Sequence, residues 1–247
     1  MKLTKILSAA LMALMLATPA MAQDDAHDPN AKKILDKVQQ TTQSYQTLRA
    51  SFDWTLENKT EKTKDTKSGF MFLKGGKYKL ILAGTEMFSD GTTMWTYSKD
   101  ANEITISEVE EDEDNIISNP TKIFDLYQKG FKYSLKREET REVRVKKDGK
   151  VVNQKMNCQI IDLYPEKPKG KEFHTVELVI VKETAQIAVI TIKFKNGSEQ
   201  IIEITEYKPN ATMTDALVTY DPAKYPGAEV NDMRYGVICD TNITPYI

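Results

Sequence analysis

The stretch FSDGTTMWTY, residues 88–97, places a polar Asp-Gly turn directly before a strand with alternating apolar side chains. Two earlier runs, residues 51–57 and 70–82, alternate in the same way. Because successive side chains of a strand point to opposite faces, each run loads one face of a sheet with apolar groups. An aromatic-rich face either packs as core or receives a hydrophobic ligand. We predict an apolar concave face lined by Phe52, Trp54, Phe70, Phe72, Tyr78, Leu80, Trp95 and Tyr97.

The first residues of the chain have the three regions of an export signal. Two lysines precede an apolar run over residues 6–17, and Ala20-Met21-Ala22 supplies small residues for cleavage. The apolar run is shorter than the roughly 20 residues that a membrane-spanning helix needs. We therefore predict a signal peptide over residues 1–22 and a single domain over residues 23–247. We expect the mature protein in the periplasm.

The charge of the mature chain argues against a nucleic acid partner. The 34 Lys and Arg residues fall to 32 when the two lysines of the signal are removed, against 36 Asp and Glu residues. The lysines are dispersed among apolar residues, as at Lys77 and Lys79 around Tyr78, which is typical of a solvated strand face. A mildly acidic chain without a basic patch lacks the electrostatic footprint of nucleic acid binding.

Helix and turn signals predict an antiparallel meander that follows one N-terminal helix. Asp28-Pro29 supplies an N-cap and a first-turn proline, and apolar residues then recur at helical spacing up to Leu48. We expect an irregular tail from Tyr220 onward. Turn pairs separate the alternating segments at Gly75-Gly76, Asp90-Gly91, Asp148-Gly149 and Asn196-Gly197.

A second helix is predicted to interrupt the strands. Asn119-Pro120 gives a cap and a first turn, and Gly130 ends the helix. Its position between two series of strands suits a lid. The preceding acidic segment, residues 108–114, lacks the ligand spacing and the glycine of a calcium loop, so we interpret it as a solvated loop. The apolar side of the predicted lid carries Ile123, Phe124 and Tyr127.

Side chains that could carry enzyme chemistry are few. His27 and His174 have no neighbouring residue at a catalytic or metal-ligand spacing, and no known catalytic or phosphate-binding motif occurs. We therefore predict no catalysis, no cofactor and no metal site. Cys158 and Cys239 permit one disulfide in an oxidising compartment, although buried free thiols are also common, so both states stay open.

The order of these features resembles the periplasmic outer-membrane lipoprotein carriers of the LolA type. The shared features are the signal, the opening helix, the strand entry Ala50-Ser51-Phe52 and the block S-D-G-x-T-φ-W-x-Y over residues 89–97, in which φ is apolar. The end of the chain, from Tyr220-Asp221-Pro222 to residues 227–230, also looks like the end of that family. The resemblance runs from Ile34 to Asp232 and is loosest in the middle.

The resemblance implies both a fold and a function. The fold is an unclosed antiparallel β-barrel, or half-barrel, whose concave apolar face is covered by an N-terminal helix and a lid helix. The function is that of a monomeric chaperone that binds the acyl chains of lipoproteins in this cavity. It receives them from an inner-membrane lipoprotein-releasing ABC transporter and ferries them to the outer membrane. In that family an arginine is tied to release, whereas Lys74 is the nearest basic candidate here, and a lysine lacks the planar fork of arginine.

Other functions compete with this one. Within the same fold, an outer-membrane receptor needs a lipid-attachment cysteine near the signal, and a periplasmic sensor usually carries a further domain. Apolar alternation also fits a closed core in a structural or protein-interaction module without lipid transfer. A secreted hydrolase is disfavoured by the poor catalytic inventory.

Overall fold

The computed structural model describes residues 27–109 and 130–234. These residues contain helix α1 (Pro29–Gln43), helix α2 (Asp215–Val218) and a short 3-10 helix, Pro222–Lys224. The first six strands are β1 (Thr47–Asn58), β2 (Thr63–Lys74), β3 (Lys77–Leu82), β4 (Thr85–Ser89), β5 (Thr93–Ser98) and β6 (Glu103–Glu108). The others are β7 (Phe131–Lys147), β8 (Lys150–Pro165), β9 (Phe173–Val181), β10 (Gln186–Phe194), β11 (Ser198–Pro209) and β12 (Glu229–Asp232). Outside the described residues lie the predicted signal peptide, the predicted lid with Ile123, Phe124 and Tyr127, and Cys239.

All of these strands belong to one open sheet, in the order β12-β6-β5-β4-β3-β2-β1-β11-β10-β9-β8-β7. Two meanders, β1 to β6 and β7 to β11, are joined by the antiparallel pairing of β1 with β11. Only β12 runs parallel to its neighbour, β6. Because β7 and β12 form two separate edges, the sheet does not close into a barrel. The predicted mainly β, unclosed architecture with an N-terminal helix is confirmed.

Helix α1 begins where the sequence predicts. The side chain of Asp28 accepts hydrogen bonds from the backbone N–H groups of Asn30 (2.8 Å) and Ala31 (3.4 Å), and Pro29 occupies the first turn. The other carboxylate oxygen of Asp28 accepts the backbone N–H of Leu135, in β7, at 2.9 Å. The cap therefore also fastens the start of the helix to the edge of the sheet.

The tight turns lie where the Gly-containing pairs predict them. Asp148 and Gly149, between β7 and β8, have φ values of +49° and +80°. A two-residue hairpin turn with positive φ at both positions matches the right-handed twist of the flanking strands, and Asp-Gly is a favoured sequence for it. The other predicted pairs connect β2 to β3, β4 to β5, and β10 to β11.

Alternation of side chains gives the sheet two distinct faces. Leu48, Ala50 and Phe52 of β1 belong to the core cluster that includes helix α1, and we call their side of the sheet the α1 face. The intervening Arg49 and Ser51 lie on the opposite face. The buried core of the α1 face continues across the other half of the sheet through Ile161, Leu163, Val176, Leu178, Ile180, Ile190 and Ile192.

The far end of the β7–β8 hairpin folds over the opposite face of β9 to β11. A register shift between Leu135 and Arg137 marks an irregularity of the kind that bends a strand. Beyond it, Arg144 forms ion pairs with Asp53 (2.7 Å) and Glu203 (2.9 Å), which belong to β1 and β11. The hairpin and the sheet share a second apolar cluster, made of Val143, Cys158, Ile160, Val179, Val181, Ala188 and Val189.

Cys158 is buried within this second cluster. Burial raises the pKa of its thiol, so the neutral form is favoured. Because Cys239 lies outside the described residues, a bridge between the two cysteines stays a prediction.

The end of the described chain differs from the predicted irregular tail. Strand β12 pairs in parallel with β6, from Glu229 beside Glu103 to Asp232 beside Ile106. The side chain of Asn102 donates a hydrogen bond to the carbonyl of Gly227 at 2.9 Å and helps to place this strand. The prediction was wrong because four mostly exposed residues carry no clear alternation.

Candidate functional site: the apolar face beside helix α1

Helix α1 covers the α1 face on the β7 and β10 side of the sheet. Its buried residues Ala31, Leu35 and Val38 are part of the main core. Just after the helix, the hydroxyl of Tyr45 accepts a hydrogen bond from the side-chain amide of Gln186, in β10, at 3.0 Å. Together with the bonds of the N-terminal cap to β7, this contact holds both ends of the helix to the sheet.

The part of the α1 face on strands β1 to β5 is the candidate site. Cross-strand pairing places Ala50 beside Met71, Met71 beside Leu80, and Leu80 beside Met87, in a row across four strands. Within these five strands, all of which the structure describes, charged side chains on this face occur only at the outer end of β2. The apolar lining consists of Leu48, Ala50, Phe52, Trp54, Met71, Leu73, Tyr78, Leu80, Leu82, Met87 and Met94.

Part of the lining is less tightly enclosed than the core beneath α1. Ile161 and Leu163 in β8 have no exposed surface, whereas Trp54, Leu82 and Met87 are only half-buried. Methionine has three rotatable bonds and a polarizable sulfur, so it adapts to irregular apolar partners. The β1 to β5 part of the face is therefore an adaptable apolar surface that is partly accessible. Its buried members are Leu48, Ala50, Phe52, Met71, Tyr78 and Leu80.

Phe52 lies across Gly69 on the neighbouring strand. The two residues are cross-strand partners, and a Cβ added to Gly69 would collide with the ring of Phe52 and lie 2.8 Å from the carbonyl oxygen of Ile81. A residue without a side chain is therefore needed here, because the ring occupies the space above the strand. The glycine leaves room for the Phe52 ring over β2.

Gly69→Ala is expected to destabilise the protein by about 1–3 kcal/mol, because overpacking forces the Phe52 ring or the β3 backbone to move. Urea unfolding monitored by circular dichroism measures the change. Gly76→Ala is the matched control, since nothing lies within 4 Å of a Cβ added there. Equal midpoints for the two variants would contradict the packing of Phe52 over Gly69.

Tyr78 places an uncharged polar group, its phenol hydroxyl, on this face. Its hydroxyl lies 3.8 Å from the sulfur of Met94, and the residue is buried. Burial raises the pKa of Tyr78 to about 12, against a smaller opposing effect of a hydrogen bond with Ser89. The phenol is therefore neutral at physiological pH.

The structure divides the predicted lining residues between the two faces. Phe52, Trp54, Tyr78 and Leu80 lie together on the α1 face. The prediction of one common face is wrong for the other four, which lie on the opposite face: Phe70, Phe72, Trp95 and Tyr97.

The cause of this error is the register across the tight turns. Asn58 pairs with Thr63, and Lys74 pairs with Lys77, so each even-numbered residue lies beside an odd-numbered one. The α1 face therefore takes even positions from β1 and β3 but odd positions from β2. The lining residues that the sequence prediction missed are Leu48, Ala50, Met71, Leu73, Leu82, Met87 and Met94.

The opposite face of β4 and β5 carries an aromatic cluster. Tyr220 stacks on Trp95 with ring centroids 5.6 Å apart, and Tyr225 contacts Tyr97 at 4.5 Å. The rings of Tyr220 and Tyr225 lie 5.8 Å apart, and both contact Phe88 edge-on. The chain after β11 therefore packs over this face, which accounts for its aromatic side chains.

An ion pair beneath Tyr225 supports this packing. Lys79 contacts Glu86 at 2.6 Å, and the hydroxyl of Tyr225 donates a hydrogen bond to Glu86 at 2.9 Å. Burial raises the pKa of Glu86, but the bonds from Lys79 and Tyr225 outweigh it and hold the pKa of Glu86 below its usual value.

Lys74 also lies on the opposite face and holds the same segment. Its ammonium group donates to the carbonyl of Met213 at 2.8 Å and contacts Asp215 at 2.5 Å. Its pairing places it beside Thr47 and Lys77 on the side away from α1. This lysine therefore fastens the chain around helix α2 and lies away from the apolar face, and its role in release stays a prediction.

The two histidines have neighbours of an ordinary kind. His27 lies 3.5 Å from Glu166, and Nδ1 of His174 lies 2.8 Å from the hydroxyl of Thr175. Among residues 27–109 and 130–234, no three His, Cys, Asp or Glu side chains come close enough to hold a metal ion.

None of the helices in these ranges is both long enough and apolar enough to cross a bilayer.

Solved structures share this fold, whereas no family model and no curated protein matches the chain. An uncharacterized conserved protein from Thermus thermophilus has a TM-score of 0.50 and 15% identity, covering 82% of this chain and 99% of that one. A LolA superfamily protein from Nitrosomonas europaea has a TM-score of 0.40 and 9% identity, covering 77% and 98%. The lipoprotein LppX of Mycobacterium tuberculosis has a TM-score of 0.42 and 10% identity, covering 76% and 98%.

These likenesses concern the fold alone. The open sheet of two joined meanders, with a helix at the N-terminal end packed on one face, is the unclosed half-barrel that the resemblance implies.

Proposed function

We propose that this protein is a periplasmic chaperone that binds the acyl chains of lipoproteins and ferries them from the inner to the outer membrane. The observation that carries the proposal is the apolar surface on the α1 face of β1 to β5, which is continuous with the main core and partly accessible at Trp54, Leu82 and Met87. Apart from the outer end of β2 it is uncharged, and it contains three methionines, Met71, Met87 and Met94.

The energetics of acyl chains suit such a surface. Sheltering an acyl chain from water gains roughly 25 cal/mol for each Å² of apolar area that is buried. A carrier must also release its cargo, so it benefits from an adaptable apolar surface with few fixed polar contacts. Methionine and half-buried aromatic side chains provide this combination.

The partners in this proposal are membrane systems on either side of the periplasm. An inner-membrane lipoprotein-releasing ABC transporter loads the carrier, and an acceptor at the outer membrane receives the cargo. Residues 120–129, predicted as a lid, cover the bound chains in this scheme. The protein performs no catalysis, since transfer needs only a difference in affinity between carrier and acceptor.

A native mass spectrum of the protein purified from its own periplasm tests this function. We expect a population whose added mass equals that of a lipoprotein or a lipid, and we expect this mass to disappear after unfolding and delipidation. Refolded protein should regain added mass when it is mixed with a lauroyl probe. Protein that is free of lipid in the first spectrum and takes up no probe in the second would instead support a closed core in an interaction module.

A further inference from the structure

Two polar atoms on the α1 face are buried and lack a hydrogen-bond partner. They are the indole nitrogen Nε1 of Trp54 and the amide oxygen Oε1 of Gln200, and neither has a partner within the described part of the chain. A buried polar atom without a partner costs free energy, so its retention needs an explanation. One explanation is a ligand that supplies the missing partners.

The two side chains occupy neighbouring positions on the same face. Trp54 in β1 pairs with Ile202 in β11, and Gln200 follows two residues away, beside Leu56. Diagonal neighbours of this kind lie within reach of each other and of one shared small group. On its other side Gln200 pairs with Ile192, a buried residue of the main core. On its other side Trp54 pairs with Lys67, at the charged outer end of β2, so the pair lies at the border between the apolar face and that end.

The chemistry of the two atoms is complementary to an amide. An indole N–H is a donor only, and the oxygen of a glutamine side chain is an acceptor. A secondary amide offers a carbonyl oxygen and an N–H group, which point to opposite sides of the acyl chain. An amide placed between the two side chains satisfies both atoms. An ester satisfies only Trp54, because it has no N–H group to donate to Gln200.

We propose that Trp54 and Gln200 recognise the amide bond that joins an acyl chain to the rest of the ligand. The inference rests on the proposed function, because it assumes that acyl chains occupy the α1 face. It adds that the site distinguishes N-acyl from O-acyl ligands. Trp54 binds the carbonyl oxygen of either ligand, and Gln200 binds the amide N–H alone.

Competition binding with two matched probes tests the inference. N-methyldodecanamide and methyl dodecanoate have the same chain length and differ in the N–H group. Each displaces a fluorescent palmitoyl probe from the full-length mature protein. A hydrogen bond made in place of an unpaired buried group is worth roughly one order of magnitude in affinity. The wild-type protein is therefore expected to bind the amide about tenfold more tightly than the ester.

Variants assign the two contacts separately. Gln200→Leu should remove the preference for the amide and leave the affinity for the ester unchanged. Trp54→Phe should weaken both probes by a similar factor. Gln159→Leu is the control, because Gln159 bonds to Glu138 on the edge strand β7. Gln200→Met, with another unbranched side chain, repeats the test if Gln200→Leu does not fold.

The outcomes separate this inference from the proposed function. Equal affinities for amide and ester in the wild-type protein, unchanged in Gln200→Leu, would overturn the amide site and leave the acyl carrier intact. Absence of binding by the palmitoyl probe and by both competitors would overturn the two together.

Discussion

Leu80→Glu is expected to abolish the capture of acyl chains, with a loss of at least about a hundredfold in affinity for a fluorescent palmitoyl probe. Leu80 is 4% exposed and stands between Met71 and Met87 in the row of apolar residues. An unpaired carboxylate at this place must either stay ionised in an apolar environment or take up a proton, and both are costly. Fluorescence titration of the purified variant measures the loss.

Phe70→Glu is the matched control for this experiment. Phe70 is 36% exposed and lies on the opposite face, on the strand next to that of Leu80. We expect native circular dichroism and unchanged probe affinity for this variant. Met87→Glu places the charge at a half-buried position of the α1 face and repeats the test if Leu80→Glu unfolds. Equal effects of a charge on both faces would show that the face assignment does not govern binding.

The double variant Tyr220→Ala/Tyr225→Ala is expected to lose about 2–4 kcal/mol of unfolding free energy, because it removes two aromatic rings from the cluster on the opposite face. Tyr220 stacks on Trp95, and Tyr225 contacts Tyr97. Urea unfolding measures the loss. Under conditions in which the variant is folded, its affinity for the palmitoyl probe should be unchanged, since these rings do not lie on the α1 face.

Tyr220→Phe/Tyr225→Phe separates packing from hydrogen bonding. This variant keeps both rings and loses the bond from Tyr225 to Glu86, so we expect a loss of only about 1 kcal/mol. A double alanine variant that keeps wild-type stability, or that loses the probe while folded, would contradict the structural role of this cluster.

Much of the fold could be predicted from local signals. Asp28-Pro29 marks the start of helix α1 because the carboxylate caps it and proline suits the first turn. Asp148-Gly149 marks a hairpin because its two residues take positive φ values. Both signals depend only on the backbone geometry of a few consecutive residues. The pairing of β1 with β11 joins residues at least 140 positions apart, from Asn58 with Ser198 upward, which no local signal indicates.

Half of the predicted lining was wrong for a physical reason. In β2, the residues on the opposite face, Phe70 and Phe72, are more aromatic than Met71 and Leu73 on the α1 face. A prediction based on hydrophobicity therefore placed the wrong side of β2 on the concave face. Both sides of this half of the sheet are apolar because α1 shares a core with one and the chain after β11 packs over the other. Alternation alone does not distinguish two covered faces.

The length of the turn between β2 and β3 indicates which residues of the two strands share a face. Gly75-Gly76 is a two-residue connection that places Lys74 opposite Lys77. Counting back along both strands then places Phe72 opposite Lys79, so Phe72 and Tyr78 cannot share a face. The segment that covers the opposite face, with Tyr220 and Tyr225, still required the three-dimensional structure.

Photo-crosslinking with a diazirine-labelled palmitoyl chain, followed by peptide mapping, tests the location of the acyl site most directly. We expect adducts on the α1 face, at Met71, Leu80 and Met87, and their loss when unlabelled palmitoyl ligand is added in excess. Adducts concentrated at Phe70 and Trp95, on the opposite face, would contradict it.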